Sequence, residues 1–158
     1  AALWIGLCEA NLEARLLGEQ LHGWLLGGAP RAAYDPLTAL AGRPLALAGF
    51  LAVRFFGLVV VVAVIEEFFL RGFLARFVVE GDWWNVPLGT ASGAAAAAVV
   101  VYAGLSHPAE LLAAAAWFSL GTWLLTRTKN IWDCVAMHAT TNLLLGAYVL
   151  ATGSWRLW

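Results

Sequence analysis

Glu66 and Glu67 are adjacent, Arg71 follows the second glutamate by four positions, and all three interrupt the apolar run Val59–Ala75. An ionised group at the centre of a bilayer costs about 2.5–3.5 kcal/mol on insertion scales, so such a cluster must face a polar interior and be paired. Two histidines and an asparagine extend the set: His107 closes a later apolar stretch, and His138 and Asn142 lie inside the last one. Together these side chains could move protons and steady negative charge. A carboxylate can take a proton from water, and imidazole and carboxamide can donate hydrogen bonds to a developing oxyanion.

Their spacing separates their tasks. On a helix Glu67 and Arg71 are i,i+4 neighbours and can form an ion pair, whereas Glu66 points roughly 100° away at ~3.6 residues per turn. Glu67–Arg71 therefore reads first as a buried pair holding helices together, and Glu66 as the carboxylate left over for general-base work. His138 and Asn142 are also i,i+4 and project from one helical face. A lone intramembrane histidine is most often an interhelical hydrogen-bonder. Two histidines, an asparagine and a glutamate pair recurring in separate apolar segments point instead to a site. Cys134, one turn before His138, is a weaker metal-ligand candidate. Cys8 and Cys134 have no pairing pattern and read as small core residues. His22 lies in a polar segment and reads as a surface group.

The elements that must position these groups are membrane helices. The 158 residues are 62% hydrophobic and 12% charged, with a mean hydropathy of +0.79, outside the range of soluble domains. The fold class expected is all-α, a polytopic transmembrane helical bundle. A formal charge of −1 leaves no basic face for a nucleic acid. Trp83, Trp84, Trp155 and Trp158 fall at expected helix ends, where amphipathic rings anchor at the interface.

Residues 1–43 read as a truncated helix stub followed by an interfacial segment. The start Ala1–Cys8 is too short to span a bilayer and lacks the features of a secretory signal. Glu9 to Arg43 carry too many charges to cross. Leu12, Leu16, Leu17 and Trp24 give a partial helical stripe, ended by Gly27-Gly28-Ala29-Pro30 and Asp35-Pro36. Residues 44–158 form the core, with spans expected at about 45–69 or beyond, 88–106, 109–126 and 131–151. Gly89 and Gly93 make a small-xxx-small pair suited to close helix packing. Asn130 is placed to cap the last helix, with Asp133 in its first turn.

The pattern Glu66-Glu67-x-x-x-Arg71, a histidine ending the next helix, and His138-x-x-x-Asn142 resembles the three motifs of the CPBP family, the type II CAAX prenyl endopeptidases and their bacteriocin-processing relatives. The resemblance covers residues 54–158. The stretches Trp83–Thr90 and His138–Val149 look like the subgroup associated with, or fused to, exosortase E. One position departs: the family's middle motif has phenylalanine four residues before the histidine, and here Ala103 stands there with Tyr102 adjacent, as if the aromatic had slipped by one. The exosortase's own cysteine-centred site is absent from the chain.

The resemblance implies hydrolysis of a peptide bond in a membrane-associated protein, in the bacterial inner (plasma) membrane, by a multi-pass enzyme. Glu66 would activate water with help from His107, His138 and Asn142 would stabilise the oxyanion, and Glu67 and Arg71 would orient the site. In a second version Glu66, His107 and His138 bind Zn²⁺. No helical HExxH is present, so metal-independent catalysis is the first choice. The implied partners are a membrane-anchored protein or peptide substrate, the lipid bilayer and a fused or neighbouring exosortase. A catalytically silent scaffold or immunity protein of the same fold, and a proton-coupled transporter, are the alternative readings. The complete set of polar motif positions disfavours the first, and the lack of an inverted repeat disfavours the second. Arg76, Arg127 and Lys129 on one side balance Arg31, Arg43 and Arg156 on the other, so basic residues set no orientation.

Overall fold

A computed structural model describes residues 1–10, 12–18, 20, 21, 23 and 33–158. The readings made for His22, Trp24, Arg31 and the Gly27–Pro30 breaker lie outside the described residues. Within them the chain is all-helical. Helix α1 (Ala2–Ala10) buries Trp4 and Cys8, α2 spans Leu12–Leu17, and α3 is the short turn Pro36–Ala39. Asp35 caps α3 by accepting from the Leu37 and Thr38 amides at 2.9 and 3.3 Å. The Thr38 hydroxyl, donating at 2.6 Å, holds the Asp35 carboxyl below its usual range.

The longest element among the described residues is α4, Pro44–Val79, 36 residues or about 54 Å at ~1.5 Å per residue. That exceeds a hydrocarbon core of ~30 Å, so α4 must tilt or project beyond it. It is not uniform. Two π-helical stretches, Gly57–Val62 and Phe68–Leu74, flank the short α-helical segment Ala63–Glu67 that carries both glutamates. Such bulges rotate the side chains that follow them and recur at functional sites.

Helix α5 (Gly93–Ser106) follows a turn at Trp83–Asn85. After a second turn at Pro108–Glu110 come α6 (Leu111–Thr128) and α7 (Ile131–Thr152), and then a last turn at Trp155–Leu157. Asn130 caps α7 by accepting from the Trp132 amide at 3.1 Å. Helix α5 packs on α6 and on the end of α4, α7 packs on the middle of α4, and α1 lies against α6. Cys8 and Cys134 are both buried and not joined in a disulfide.

Among the described residues three helices are long and apolar enough to cross a membrane: α4, the Pro108–Thr128 stretch that includes α6, and α7. The segment expected as a span at 88–106 is shorter, because its helix begins only at Gly93. Gly89 sits in the preceding turn with φ +82°, and a Cβ there would meet the Leu125 carbonyl oxygen at 2.9 Å. Its lack of a side chain thus serves a left-handed turn pressed on the end of α6. Gly93 faces open space within 4 Å, so the small-xxx-small helix contact expected from this pair does not form. The close helix approaches occur elsewhere, at Gly121 beneath Arg71 and at Gly146 beneath the Phe55 ring.

Candidate active site

Glu67 and Arg71 are fully buried and form the ion pair expected from their spacing. Arg71 also donates to the Phe118 carbonyl on α6 at 2.8 Å, and its guanidinium lies 5.5 Å from the Phe118 ring centre. Burial of both charges is tolerable because each has several partners; removing one would strand the other.

The second oxygen of Glu67 reaches α7. Its Oε1 lies 3.0 Å from His138 Nδ1, and a carboxylate can only accept, so Nδ1 carries the hydrogen and Nε2 is the atom left for other work. Glu67 therefore joins three helices: its own α4, α6 through Arg71, and α7 through His138. Trp117 packs edge-on against the His138 ring with centroids 4.7 Å apart. Its indole N–H donates to Thr141 Oγ1 at 3.2 Å, and that hydroxyl donates to the Met137 carbonyl at 2.9 Å. The imidazole is thus held by a carboxylate on one edge and an anchored ring on its face.

Glu66 behaves differently, as its angular offset requires. Its side chain is 24% exposed, and its Oε2 lies 3.9 Å from His138 Nε2, beyond hydrogen-bond length. His107 terminates α5, and its Nδ1 lies 3.1 Å from the Ala103 carbonyl and 3.0 Å from Ser106 Oγ. Because a carbonyl only accepts, that bond places the hydrogen on Nδ1 and leaves Nε2 as an acceptor in the neutral ring. Asn142 donates one amide hydrogen to the Leu58 carbonyl at 2.8 Å, inside the first π-helical stretch; its second amide hydrogen is not used by that bond.

Glu66, His107, His138 and Asn142 line one cavity of about 170 Å³. Naive helix counting separates the two imidazoles by the membrane's depth, and the short α5 removes the difficulty. Its 14 residues rise only about 21 Å at ~1.5 Å each, less than a ~30 Å core, so the His107–Pro108 turn need not reach the far face. There α1 covers it: the Trp4 and His107 rings meet edge-on at 5.3 Å. An irregular turn at this depth is tolerable where it lines a polar cavity or is buried in protein.

Tyr102 does not take the place of the missing phenylalanine. It faces Phe69 with ring centroids 5.2 Å apart, while Ala103 is completely buried and offers its carbonyl to His107. The aromatic rings beside His107 are Trp4 and Phe118, the latter at 5.8 Å. Cavity residues that sequence reasoning passed over are Arg54, Glu110, Trp117 and Thr141. Glu110, 94% buried by its 6% exposure, carried a signal, since a carboxylate at the start of an apolar span is costly. Thr141 shares a face with His138 three positions earlier. Trp117 had no distinguishing mark among nine tryptophans.

Glu66, His107 and His138 are the side chains that would hold a metal. Among the described residues no three His, Cys, Asp or Glu side chains converge closely enough to do so in this conformation. His138 Nδ1 is engaged by Glu67 and His107 Nδ1 by Ala103, so neither Nδ1 is open to a metal, and Cys134 Sγ is turned to the Gly121 carbonyl at 3.5 Å.

Comparison with known proteins adds one finding and two negatives. The family model described as type II CAAX prenyl endopeptidase, Rce1-like, matches residues 48–144, a stretch that contains every polar group of the cavity's centre. No curated protein matches, and no solved structure matches. With its motif carboxylates, histidines and asparagine inside the matched stretch, and the match covering more than half of the chain, the protein belongs to the Rce1-like type II CAAX prenyl endopeptidase family, a family of proteases.

Proposed function

We propose that the protein hydrolyses a peptide bond of a membrane-associated protein with water activated by Glu66. The observation that carries this reading is the meeting of Glu66, His107, His138 and Asn142 at one cavity, with Glu66 close to but not bonded to His138. Glu66 takes a proton from water, and the resulting hydroxide adds to the scissile carbonyl carbon. His107 Nε2 accepts the water's other hydrogen and aligns it. The oxyanion receives hydrogen bonds from His138 Nε2–H and from the free amide hydrogen of Asn142. On collapse the C–N bond breaks, and the proton held by Glu66 passes to the leaving amine.

This assignment makes a demand on His138. Its Nδ1–H is committed to Glu67, so donation from Nε2 requires the doubly protonated ring, a cation flanked by the carboxylates of Glu66 and Glu67. Arg71 keeps Glu67 in place for that task. Zinc is not required in this scheme. Were it held by Glu66, His107 and His138, it would supply an activated water in place of the free carboxylate.

We also read the substrate as a membrane-anchored protein of the bacterial inner membrane, processed beside an exosortase. The likeness of Trp83–Thr90 and His138–Val149 to exosortase-associated chains supports this, and co-purification of the full-length protein with an exosortase tests it. The hydrolytic reading is tested by reconstituting full-length protein in liposomes with candidate membrane-anchored carboxy-terminal tails and following cleavage by mass spectrometry. Wild type should cut at least one tail and Glu66→Gln none, with unfolding of the variant unchanged. Equal cleavage by Glu66→Gln removes Glu66 as the base. No cleavage of any tail by the wild type favours the silent scaffold.

A further inference from the structure

The hydrolytic scheme asks two imidazoles on different helices to serve one peptide bond: His107 at the end of α5 and His138 within α7. Such geometry tolerates little error, since a misplacement of about 1 Å can cost about 10²-fold in rate. Yet α5 and α7 are not one of the closely packed helix pairs among the described residues. What they share is α6, which packs on both. The separation of the two rings is therefore set through α6, by the side chains that helix places between them.

Trp117 and Phe118 are consecutive on α6 and both are buried. Trp117 packs on His138 at 4.7 Å between ring centroids, and Trp4 of α1 packs on His107 at 5.3 Å. Phe118 meets both imidazoles: its ring centroid lies 5.8 Å from that of His107 and 6.3 Å from that of His138, inside the range of about 4.5–7 Å for rings in contact. A ring can gauge a distance only if it is itself held. Phe118 is 2% exposed, and Trp117 meets it edge-on at 4.9 Å. Arg71 lies against its ring and donates to its carbonyl, an oxygen that also accepts from the Thr122 hydroxyl at 3.0 Å. Arg71 in turn pairs with Glu67, and Glu67 with His138. The contacts thus close a loop from Phe118 through Arg71, Glu67 and His138 back to Phe118. His138 cannot shift against this ring without disturbing the buried ion pair, and His107 is referred to the same frame by its own contact with Phe118.

We infer that Phe118 is a positioning residue of the hydrolytic site, the spacer that fixes the separation of His107 and His138. It makes and breaks no bond. Its flat, rigid ring presents one surface to each imidazole, which a branched aliphatic side chain of similar apolarity does not reproduce. The residue lies outside the Glu66-Glu67-x-x-x-Arg71 and His138-x-x-x-Asn142 patterns, on the helix between the two histidines. The inference rests on the hydrolytic reading of the site, and a measurement on the imidazoles without turnover keeps the two separable.

The experiment compares full-length wild type, Phe118→Leu, Phe118→Tyr and, as a packing control, Val149→Ala. Val149 is completely buried and is not a wall of the cavity, so its truncation loosens the bundle away from the imidazoles. Kinetics are read in liposomes on the tail that wild type cuts best. Phe118→Leu should lower kcat by about 10- to 100-fold and leave KM within about threefold, because leucine keeps the wall apolar and only the transition state suffers. Phe118→Tyr keeps the ring and should retain most of kcat. In parallel, protein labelled with [¹³Cε1]histidine is studied in micelles by NMR relaxation, with His107→Gln and His138→Gln assigning the two resonances. Ring order should fall in Phe118→Leu, more for His107 than for His138, which keeps Glu67 and Trp117, and should stay near wild type in Phe118→Tyr and Val149→Ala. Wild-type kcat in Phe118→Leu overturns the proposal. So does a slow Phe118→Leu enzyme whose imidazoles keep their order, or an equal loss of order and kcat in Val149→Ala, either of which reduces Phe118 to ordinary packing. Phe118→Tyr as slow and as loosened as Phe118→Leu also overturns it, and so does a rise in KM at constant kcat, which would make the ring a substrate contact. Loss of ring order confined to Phe118→Leu, in a protein whose wild type cuts no tail, would sink the hydrolytic reading and leave the spacer standing.

Discussion

Gly121 on α6 provides the sharpest test of how the site is held. A Cβ added there would press on Arg71 Nη2, come within 2.8 Å of Arg71 Cζ and stand 3.1 Å from Met137 Cε. A flexible side-chain end would normally step aside, but this guanidinium is fully buried and held by Glu67, the Phe118 carbonyl and the Phe118 ring. Gly121→Ala therefore leaves two outcomes. Helix α6 shifts outward, an overpacking cost of about 1–3 kcal/mol, or Arg71 is expelled and Glu67 loses its ion pair, about 3–5 kcal/mol. The gain of alanine over glycine in a helix returns only about 0.5–1 kcal/mol, so the expected net loss is up to about 2.5 kcal/mol if α6 shifts and about 2–4.5 kcal/mol if Arg71 is expelled. Unfolding in mixed micelles by denaturant titration measures it. Gly49→Ala is the control, because its Cβ meets nothing within 4 Å and should be neutral or slightly stabilising. Arg71→Met completes a double-mutant cycle: if the cost is transmitted through the guanidinium, the two changes will be strongly non-additive. Cleavage should fall by at least about tenfold, since about 1.4 kcal/mol at the His138–Glu67 contact is that factor. A Gly121→Ala protein as stable and active as Gly49→Ala would refute the reasoning.

Glu67→Gln should lower stability by about 3–5 kcal/mol as well as activity, because it strands the buried Arg71 charge; the same unfolding titration reads it, and loss of activity alone would mean the pair has no structural role. Gly146→Ala should be destabilising by about 1–3 kcal/mol, since its Cβ would lie 2.7 Å from the Phe55 ring, and trimming Phe55 to leucine should restore stability. Chelators should leave cleavage intact; loss on chelation with recovery on stoichiometric Zn²⁺ would move Glu66, His107 and His138 from acid–base roles to metal ligation. Asn142→Leu should lower kcat in the same cleavage assay, because it removes an amide hydrogen offered to the oxyanion.

Much of the candidate site was legible because membrane insertion penalises charge so heavily. Glu66, Glu67, Arg71, His138 and Asn142 stand out against apolar neighbours, and the i,i+4 rule paired Glu67 with Arg71 and put His138 on the face of Asn142. Helix geometry also distinguished the two glutamates, one fully buried between Arg71 and His138 and the other facing the cavity. Local pattern was weaker where backbone conformation and depth matter. The Gly89/Gly93 spacing suggested a helix contact, yet Gly89 adopts a positive φ in a turn and α5 starts four residues later. The tyrosine beside the missing phenylalanine suggested a slipped aromatic, yet it faces Phe69.

From the sequence alone came the all-helical membrane class, the polar groups that could do chemistry and their grouping along each helix, because hydropathy and the ~3.6-residue period act locally. Tertiary structure decided how those groups meet. It set His107 at the end of a short α5, aimed His138 Nδ1 at Glu67 rather than at Glu66, and brought Trp4 of α1 over the turn. It also put Arg54 and Trp158, 104 positions apart, at one mouth of the cavity. Contacts between residues so distant in the chain depend on the tilt and depth of whole helices, which follow from packing at places such as Gly121 and Gly146 and leave no periodic trace in the sequence.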